Sequence, residues 1–401
     1  MKVLMISDTE AKGGAAIAAA RMARAFARSG MEVGMVVNDP QDGPPVGPWR
    51  RFVIRSEKTA EWGEIPVASL ENEVNAALSG VLDEFQPDAV SVHNIHGGGK
   101  LRWNVELVRL CADRIPTLWS LHDMWSFTGR CAYPGVCERF STGCDGLCPL
   151  SNQYPFLCRE QIAEQFARKS RVLQEAKMLA AATPSRWMEA MAERGIWKDR
   201  LIRTISNCID SDIYRPHNKT VAKAWLGIPE DRSALLACAA DFSDERKGAA
   251  LMIHSLPLLR QKPLTLLVMG NRGMFPSVEG VTVLDLGFVT DPQRKAMAYS
   301  AADVLIHPAL EDNLPNTVAE ALSCGTPVAG FKIGGMADMV LQGETGFLSE
   351  SQTSEGLAQA VDRCLKNGPL QNKSARSHAL QTMNEERFVD SWTRLVEDIE
   401  T

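Results

Sequence analysis

The chain has 401 residues. This length exceeds what a single hydrophobic core usually organises, so we expect two or three domains. Hydrophobic residues make up 45% and charged residues 23%, a balance that excludes a disordered chain, a collagen-like repeat and a coiled coil. The net charge of -6 argues against a protein that binds nucleic acid through its phosphates. Neither a signal-peptide core nor an apolar run of about 18 residues is evident, so we expect a soluble, cytoplasmic protein.

The N-terminal residues are typical of a strand, a glycine loop and a helix. Val3–Ile6 form an uninterrupted apolar run, as expected of a strand that is covered on both faces. A loop ending in Gly13 and Gly14 follows, and then an amphipathic helical segment that Gly30 terminates. Met31–Val37 resumes as a strand, and this strand–helix–strand order predicts a parallel sheet.

Short apolar runs separated by helical segments continue along the chain in two series. The first series adds the candidate strands Ala89–Val92, Pro116–Leu121, Leu179–Ala182 and Leu201–Ser206. The second series comprises Ala234–Ala239, Thr265–Met269, Val281–Leu286, Val304–His307 and Pro327–Phe331. Two series with a seam near 206–216 predict two doubly wound α/β domains. The Pro- and Gly-rich residues 39–70 are predicted to form a loop.

The most informative stretch follows the candidate strand that ends at His307. Its loop carries Glu311 and Asp312, and a helix is predicted to begin near Thr317 and to end before Gly325. In open α/β sheets, ligands collect beyond the carboxyl ends of the strands, where a helix start also presents free amides to an anion. Amides that hold phosphate beside carboxylates that hold hydroxyl groups suit a phosphate-linked sugar.

The same residues also allow two structural interpretations. Thr317 and Glu320 have the T-x-x-E spacing of a capping box, in which the glutamate only satisfies the first amides of its own helix. Asp312 is equally typical of a solvated acidic residue in a loop. The wider sequence pattern is needed to decide between the functional and the structural interpretations.

The wider pattern is similar to one enzyme family. Asp312-x7-Glu320, followed by Ala-Leu-Ser-Cys-Gly-Thr-Pro-Val, resembles the E-x7-E region of the GT-B glycosyltransferases of family 4, which usually have glutamate at the first position. Other segments resemble further signatures of that family, in order along nearly the whole chain: Gly13-Gly14, Thr183-Pro-Ser185, Asn207-Cys-Ile-Asp210 with Tyr214 and Pro216, Gly334-Gly335-Met-Ala-Asp338 and Gly343-Glu-Thr-Gly346-Phe-Leu. A likeness to polysaccharide-biosynthesis transferases of the colanic-acid type is carried by His93-Asn-Ile-His96, Leu121-His-Asp-Met-Trp125, Phe127-Thr-Gly, Cys131-Ala-Tyr133 and Asn313-Leu-Pro-Asn316.

The resemblance implies a GT-B fold, an α/β architecture of two Rossmann-like doubly wound domains that face each other across a cleft. It implies an N-terminal, acceptor-side domain at 1–206 with a cysteine-rich insertion at 128–158. A nucleotide-sugar-binding domain is expected at 207–385. A helix within 386–401 is expected to return to the N-terminal domain, as it does in relatives.

By the same resemblance, the second domain supplies the donor-binding and catalytic residues. Lys247 is expected to stabilise the departing diphosphate, and Arg246 to substitute for an arginine that the family has a few residues earlier. Glu320 is expected to bind ribose hydroxyls, and either Asp312 or Glu311 to bind hydroxyls of the donor sugar. The phosphates are expected to meet the backbone of Asn313, Leu314, Pro315, Asn316 and Thr317. On local grounds, Arg246 and Lys247 are equally typical of a solvated cation pair.

The first domain is expected to contribute glycines and histidines. Gly13 and Gly14 have no Cβ, so the chain can approach the diphosphate closely there. His122 follows an apolar strand, and the resemblance assigns it to the donor sugar or its transfer; a structural histidine bound to backbone is the alternative. His93 and His96 follow another strand and are expected to shape the acceptor pocket.

Members of this family are retaining enzymes, so the resemblance implies transfer from a UDP- or GDP-sugar to a glycan or polyprenyl-linked acceptor, without a catalytic metal. Asp210-Ser-Asp212 has the Asp-x-Asp spacing, but it matches the family's inter-domain segment and not a metal site. Arg21, Arg24 and Arg28 suit either peripheral contact with the inner membrane surface or a solvated helix face. The alternative functions are a sugar-nucleotide epimerase of the same fold and a non-catalytic nucleotide-sugar-binding protein.

Half of the cysteines are concentrated in one segment. The chain has ten, and five of them lie between 131 and 158, where Cys131, Cys137, Cys144 and Cys148 are spaced x5, x6 and x3. In a reducing compartment, such a cluster favours structural zinc over disulfides, although no C-x2-C pair is present. A set of free or oxidisable thiols is the alternative.

Overall fold

The chain forms two compact units, each built on one parallel sheet. The computed structural model describes residues 1–38, 45–54, 68–96, 103–145, 147–149, 157–271 and 275–400. The first unit comprises Met1–Cys208 and Glu385–Thr401, and the second comprises Ile209–Asn384. The predicted fold class, α/β with two Rossmann-like domains, is therefore confirmed.

The first unit alternates strands and helices. Its strands are β1 (Lys2–Ile6), β2 (Glu32–Val37), β3 (Arg50–Val53), β4 (Ala89–Val92), β5 (Thr117–Ser120), β6 (Leu179–Thr183) and β7 (Leu201–Thr204). Its helices up to β7 are α1 (Gly14–Arg28), α2 (Ala68–Phe85), α3 (Glu106–Ala112), α4 (Arg139–Thr142), α5 (Arg159–Glu175) and α6 (Arg186–Arg194). The strands pair in parallel in the order β3-β2-β1-β4-β5-β6-β7. Apolar side chains fill both faces of the central strands, which explains why β1 reads as a continuous apolar run.

The second unit repeats this architecture. Its strands are β8 (Ser233–Asp241), β9 (Leu264–Asn271), β10 (Val281–Asp285), β11 (Val304–His307), β12 (Val328–Phe331) and β13 (Gly346–Ser349). Its helices are α7 (Lys219–Trp225), α8 (Ala249–Ser255), α9 (Pro292–Ala301), α10 (Asn316–Ser323), α11 (Met336–Met339) and α12 (Ser354–Thr382). The strands again pair in parallel, in the order β10-β9-β8-β11-β12-β13. The chain then ends in α13 (Glu385–Glu400), which packs in the first unit on α1 and β6.

The strand order of each sheet reverses at one place, between β1 and β4 in the first unit and between β8 and β11 in the second. Because all strands are parallel, the loops that follow them emerge at the same edge, and ligands of such sheets bind at the reversal. Gly13 and His93 follow β1 and β4, while Lys247 and Asp312 follow β8 and β11. The topology therefore places these candidate residues at the two reversal points.

The predicted loop over residues 39–70 is wrong in part. Arg50–Val53 form β3, an edge strand paired with β2, and α2 begins at Ala68. The β3 sequence Arg-Arg-Phe-Val buries only Phe52 well, so it lacks the apolar run that marks the central strands. Residues 39–44 and 55–67 lie outside the described residues, as do 146 and 150–156 of the predicted cysteine-rich insertion. The helices that the structure describes are all too short or too polar to cross a membrane.

The packing of α13 predicts that it stabilises the first unit. Trp392 is 1% exposed, and its ring lies edge-on to Phe26 of α1 with the centroids 4.7 Å apart. We expect Trp392→Ala to lower the free energy of unfolding by about 3–5 kcal/mol, because it leaves a large cavity between two helices. Urea unfolding followed by circular dichroism measures the loss. Trp225→Ala is the matched control, since Trp225 is 49% exposed; an equal, small effect of both changes would contradict the packing role.

Candidate active site

The loop after β8 presents Lys247 on a single tight turn. Asp244 Oδ1 accepts the backbone N–H of Arg246 at 3.0 Å, and Asp244 Oδ2 accepts the Arg246 guanidinium at 2.8 Å. Gly248, which directly follows Lys247, has a φ of 66°, and a Cβ there would lie 1.9 Å from the carbonyl oxygen of Pro308. Only glycine fits this close approach, which brings the Lys247 loop against the loop that follows β11.

Lys247 and Asp312 form a partly buried ion pair at this junction. Lys247 Nζ donates to Asp312 Oδ2 at 2.8 Å, and His307 Nε2 lies 3.7 Å from the same oxygen. Burial alone would raise the pKa of Asp312, but the positive charge of Lys247 and its hydrogen bond outweigh burial and hold this pKa below its usual value. Burial lowers the pKa of His307 to about 4, so this imidazole is neutral at neutral pH. A cation and a carboxylate that are 65 residues apart in the sequence are therefore in direct contact.

The loop that carries Asp312 is supported by the predicted Gly334-Gly335 signature. Gly334 has a φ of 44°, and a Cβ there would lie 1.8 Å from the Asp312 carbonyl oxygen. The Gly335 N–H donates to the Asn313 carbonyl at 2.8 Å, and the Asn313 N–H donates to Asp312 Oδ1 at 3.0 Å. The glycines thus let a neighbouring turn lie directly on the acidic loop and fix its course.

The capping-box interpretation of Glu320 is wrong. Helix α10 begins at Asn316 with Pro315 as its N-cap, and no side chain caps it, so Glu320 is not at the position that a capping box requires. Glu320 is 2% exposed, and its carboxylate accepts a hydrogen bond from the Tyr299 hydroxyl at 2.8 Å. Burial raises the pKa of Tyr299 well above its usual value, so this hydroxyl stays protonated and donates. The sequence does not reveal Tyr299 as a partner, because it lies on α9, one crossover earlier.

In the first unit, side-chain hydrogen bonds hold the glycine loop after β1, and the loop is open on one side. Thr9 Oγ1 accepts the Lys12 N–H at 3.2 Å and donates to the Lys12 carbonyl at 3.0 Å. The buried carboxylate of Glu10 accepts from Trp49 Nε1 at 2.9 Å and from Arg51 at 2.8 Å. Gly13 has a φ of 91°, and no described atom lies within 4 Å of the place its Cβ would occupy. Open space beside a fixed backbone is the arrangement that a closely approaching ligand requires.

The two histidines His93 and His122 lie against each other at the ends of β4 and β5. His93 Nδ1 is 2.9 Å from His122 Nε2, and the rings stack with centroids 5.3 Å apart. His93, which is predicted to shape the acceptor pocket, is completely buried, so in this structure it contacts other side chains and not solvent. His122 is partly exposed, and its ring bonds another side chain and not only backbone.

His96 is tied to the loop after β5 by Asp123. His96 Nε2 is 2.9 Å from Asp123 Oδ2, and its ring stacks on Trp125 at 5.0 Å. Lys169 of α5 supports this loop from below, because its Nζ donates to the carbonyls of Trp125 at 2.7 Å and Thr128 at 2.9 Å. Burial lowers the pKa of Lys169 to about 7. Lys169 was missed by the sequence analysis, although a lysine at helical spacing on an apolar face was a usable signal.

The cysteines of the predicted zinc site line one small cavity. Cys131, Cys137, Cys144 and Cys148 all border that cavity. In the part of the chain that the structure describes, no three Cys, His, Asp or Glu side chains are grouped so that they could hold a metal ion. Burial raises the pKa of Cys131 to about 11, which keeps it a protonated thiol. The four thiols therefore lie together, and both the zinc site and the set of free thiols stay predictions.

Two family models match the chain, one in each unit. The model described as a glycosyl transferase 4-like domain matches residues 13–207, and the model described as glycosyl transferases group 1 matches residues 233–367. WcaC of Escherichia coli (strain K12), named for colanic acid biosynthesis glycosyl transfer, is 28% identical over 223 residues. That alignment covers 53% of this chain and 51% of WcaC, so the chain spans about half the length of this relative.

Solved structures share the fold over the whole chain. Sucrose-phosphate synthase from Thermosynechococcus elongatus superposes with a TM-score of 0.73 at 20% identity, covering 100% of this chain and 99% of that one. Alr3699/HepE of Anabaena, in complex with UDP-glucose, superposes with a TM-score of 0.67 at 16% identity, covering 99% of this chain and 100% of that one. At these identities the likeness shows the fold alone. The two family models together span most of the chain, so this chain belongs to the glycosyltransferases, with a glycosyl transferase 4-like domain in the first unit and a glycosyl transferases group 1 domain in the second.

Proposed function

We propose that this chain is a retaining, metal-independent glycosyltransferase of polysaccharide biosynthesis. It moves a sugar from a nucleotide-diphosphate sugar to a glycan or a lipid-linked saccharide. The observation that carries the proposal is the pairing of Lys247 with Asp312 at the strand-order reversal of the second unit, beside the start of α10. A cation for a diphosphate, a carboxylate for sugar hydroxyls and a helix start for phosphate are the groups that this transfer needs.

Each group has a role in donor binding on this proposal. Lys247, with Arg246 nearby, neutralises the charge that develops on the departing diphosphate. The backbone at the start of α10 supports the phosphates, and Glu320 binds the ribose hydroxyls. Asp312 or its neighbour Glu311 binds hydroxyls of the donor sugar. The complex of the structurally similar HepE with UDP-glucose supports a nucleotide sugar as the donor, here a UDP- or GDP-sugar.

The first unit supplies the remaining groups of the proposed reaction. Gly13 and Gly14 admit the diphosphate, His122 contacts the donor sugar, and His96 borders the acceptor. The match to WcaC supports an acceptor of polysaccharide biosynthesis, either a glycan or a polyprenyl-linked saccharide. We place such a reaction in the cytoplasm, with peripheral contact at the inner membrane surface for a lipid-linked acceptor.

The decisive experiment is release of nucleotide from UDP- and GDP-sugars with and without candidate acceptors. Acceptor-dependent release with retention at the anomeric carbon, read by NMR of the product, is expected. An altered sugar nucleotide without transfer would instead identify an epimerase. Donor binding in a thermal-shift assay without turnover would identify a non-catalytic binding protein.

Chelation tests the proposed independence from metal. We expect EDTA to leave the rate of transfer unchanged, because Lys247 and the start of α10 supply the positive potential that a divalent ion supplies elsewhere. The rate is measured before and after dialysis against EDTA. Strong inhibition that magnesium or manganese reverses would contradict the proposal.

Removal of Lys247 should impair turnover more than stability. Lys247→Ala is expected to lower kcat by about a hundredfold, as loss of one group that stabilises developing charge does. The same change leaves Asp312 without its cation, so Lys247→Ala/Asp312→Asn should recover thermal stability but not turnover. Lys332→Ala is the matched control, since Lys332 forms a comparable exposed pair with Glu350 at 2.7 Å. Undiminished kcat in Lys247→Ala would remove Lys247 from the site.

Glu320 is tested by a change that preserves its structural bond. In Glu320→Gln the side-chain carbonyl can still accept from Tyr299, so the fold is retained while the charge is lost. We expect donor affinity to fall about tenfold, because hydrogen bonds to a charged group are the stronger ones. Thermal shift with the donor measures affinity, and the exposed Glu350→Gln is the control. Unchanged donor binding would assign Glu320 a purely structural role.

A further inference from the structure

Three side chains of the first unit form a hydrogen-bonded chain that leads from the interior of the sheet to His122. Ser91 lies in β4, His93 directly follows that strand, and His122 follows the neighbouring β5. Ser91 Oγ is 3.2 Å from His93 Nε2, and His93 Nδ1 is 2.9 Å from His122 Nε2. Ser91 and His93 are completely buried, whereas His122 is partly exposed. Two hydrogen bonds thereby connect the buried hydroxyl of Ser91 to the partly exposed side chain of His122.

Both imidazoles in this chain are neutral at neutral pH. Burial lowers the pKa of His93 well below its usual value, and the neighbouring His122 lowers it further. Burial lowers the pKa of His122 to about 4; Asp123 opposes this shift, and His96 adds to it. Asp123 and His96 are themselves paired at 2.9 Å. A neutral imidazole has one N–H and one lone pair, so the direction of one hydrogen bond dictates the direction of the next.

Only two proton arrangements satisfy both hydrogen bonds. In the first, Ser91 donates to His93 Nε2 and His93 Nδ1–H donates to His122 Nε2, which leaves the His122 proton on Nδ1. In the second, His93 Nε2–H donates to Ser91 and His122 Nε2–H donates to His93, which leaves His122 Nδ1 as a bare acceptor. The two arrangements give His122 opposite chemistry: a hydrogen-bond donor in the first, and a proton acceptor in the second.

The hydroxyl proton of Ser91 discriminates between the arrangements. Among the described residues, the Ser91 hydroxyl has no hydrogen-bond partner other than His93. In the second arrangement this O–H would be buried without an acceptor, which is costly because its lost hydration is not replaced. In the first arrangement the protons of Ser91 and His93 are both donated within the chain, and the His122 proton lies on Nδ1, outside it. The geometry therefore favours donation from Ser91 towards His122.

We propose that Ser91 and His93 are positioning residues that hold His122 in the Nδ1–H tautomer, so that His122 offers a neutral hydrogen-bond donor and not a general base. The identity of the ligand rests on the proposed glycosyltransferase function, in which an oxygen of the donor sugar accepts this bond. The tautomer itself does not rest on that function. His93 thus belongs to the site through His122 and not through an acceptor.

The tautomer is measured directly on the full chain with ¹⁵N-labelled histidine, because protonated and bare ring nitrogens resonate far apart. The His122 signals are assigned by their loss in His122→Asn. We expect His122 to carry its proton on Nδ1 in the wild type and in Ser91→Thr, which keeps the hydroxyl. Ser91→Ala should populate the Nε2–H form as well. A wild-type His122 protonated on Nε2, or no change in Ser91→Ala, would overturn the proposal.

Kinetics with UDP-glucose as the probe donor test the consequence. We expect Ser91→Ala to lower kcat about tenfold with little change in KM, as loss of one oriented hydrogen bond does. Ser91→Thr should restore kcat, and His93→Asn should retain most of it, because the amide N–H replaces the Nδ1–H donor. The wild-type kcat should not titrate through His122 between pH 6 and 8. A kcat that falls in this range with the protonation of His122, assigned by its ¹⁵N signals, would make His122 a base and overturn the proposal.

Two controls separate the possible failures. Ser255→Ala removes a buried hydroxyl that donates only to the Met252 carbonyl at 2.7 Å, in the other unit, and reports the effect of any buried serine on stability and rate. If Ser91→Ala does not fold, Ser91→Thr and His93→Asn carry the tautomer measurement. If the wild type transfers no sugar but shows the Nδ1–H tautomer that depends on Ser91, the proposed function fails and the positioning role stands.

Discussion

Parallel strand pairing is the constraint on which both candidate sites depend. A parallel ladder needs a crossover between its strands, so every connecting loop at one edge of the sheet follows a strand of the same direction. Lys247 and Asp312 belong to loops that are separated by three crossovers, and His93 and His122 to loops separated by one. The sheet brings each pair within 3 Å although the sequence keeps its members far apart. Reversal of the strand order next to β1 and β8 then leaves room at that edge.

Close backbone approach is the second requirement, and glycine meets it. At Gly248 and Gly334 a Cβ would fall on the carbonyl oxygens of Pro308 and Asp312, respectively, and both glycines have positive φ. The Gly248 turn and the Gly334 turn therefore both contact the backbone of the loop that carries Asp312. The Lys247–Asp312 pair therefore depends on residues that carry no functional group at all. Glycines of this kind serve the site through their size, and a side chain at either position would push the loop away from Lys247.

The fold was predictable from the sequence to a greater extent than the site. Buried parallel strands read as short apolar runs, so the positions of most strands followed from pattern alone, while the edge strands Arg50–Val53 and Gly346–Ser349 were not predicted. Candidate site residues next to a strand end, such as Lys247, were identified by position and resemblance. Their partners were not: the bonds of Tyr299 to Glu320 and of Lys169 to the loop after β5 are set by helix placement, which local pattern does not encode. The four clustered cysteines do border one cavity, as their spacing in the sequence suggested, while the zinc that they were predicted to hold stays a prediction.

The two sites also control charge in opposite ways. In the second unit, Lys247 keeps Asp312 ionised in a partly buried place, so charge is retained by pairing. In the first unit, burial removes charge from His93 and His122, and a hydroxyl sets the direction of their hydrogen bonds. On the proposed function this division is suitable for the chemistry. A dianionic diphosphate requires a fixed cation, which exchanges part of its contact with Asp312 for the ligand and frees that carboxylate for a sugar hydroxyl. An uncharged sugar requires a hydrogen-bond donor with a fixed direction. A positive charge on that hydrogen-bond donor would add nothing to the contact.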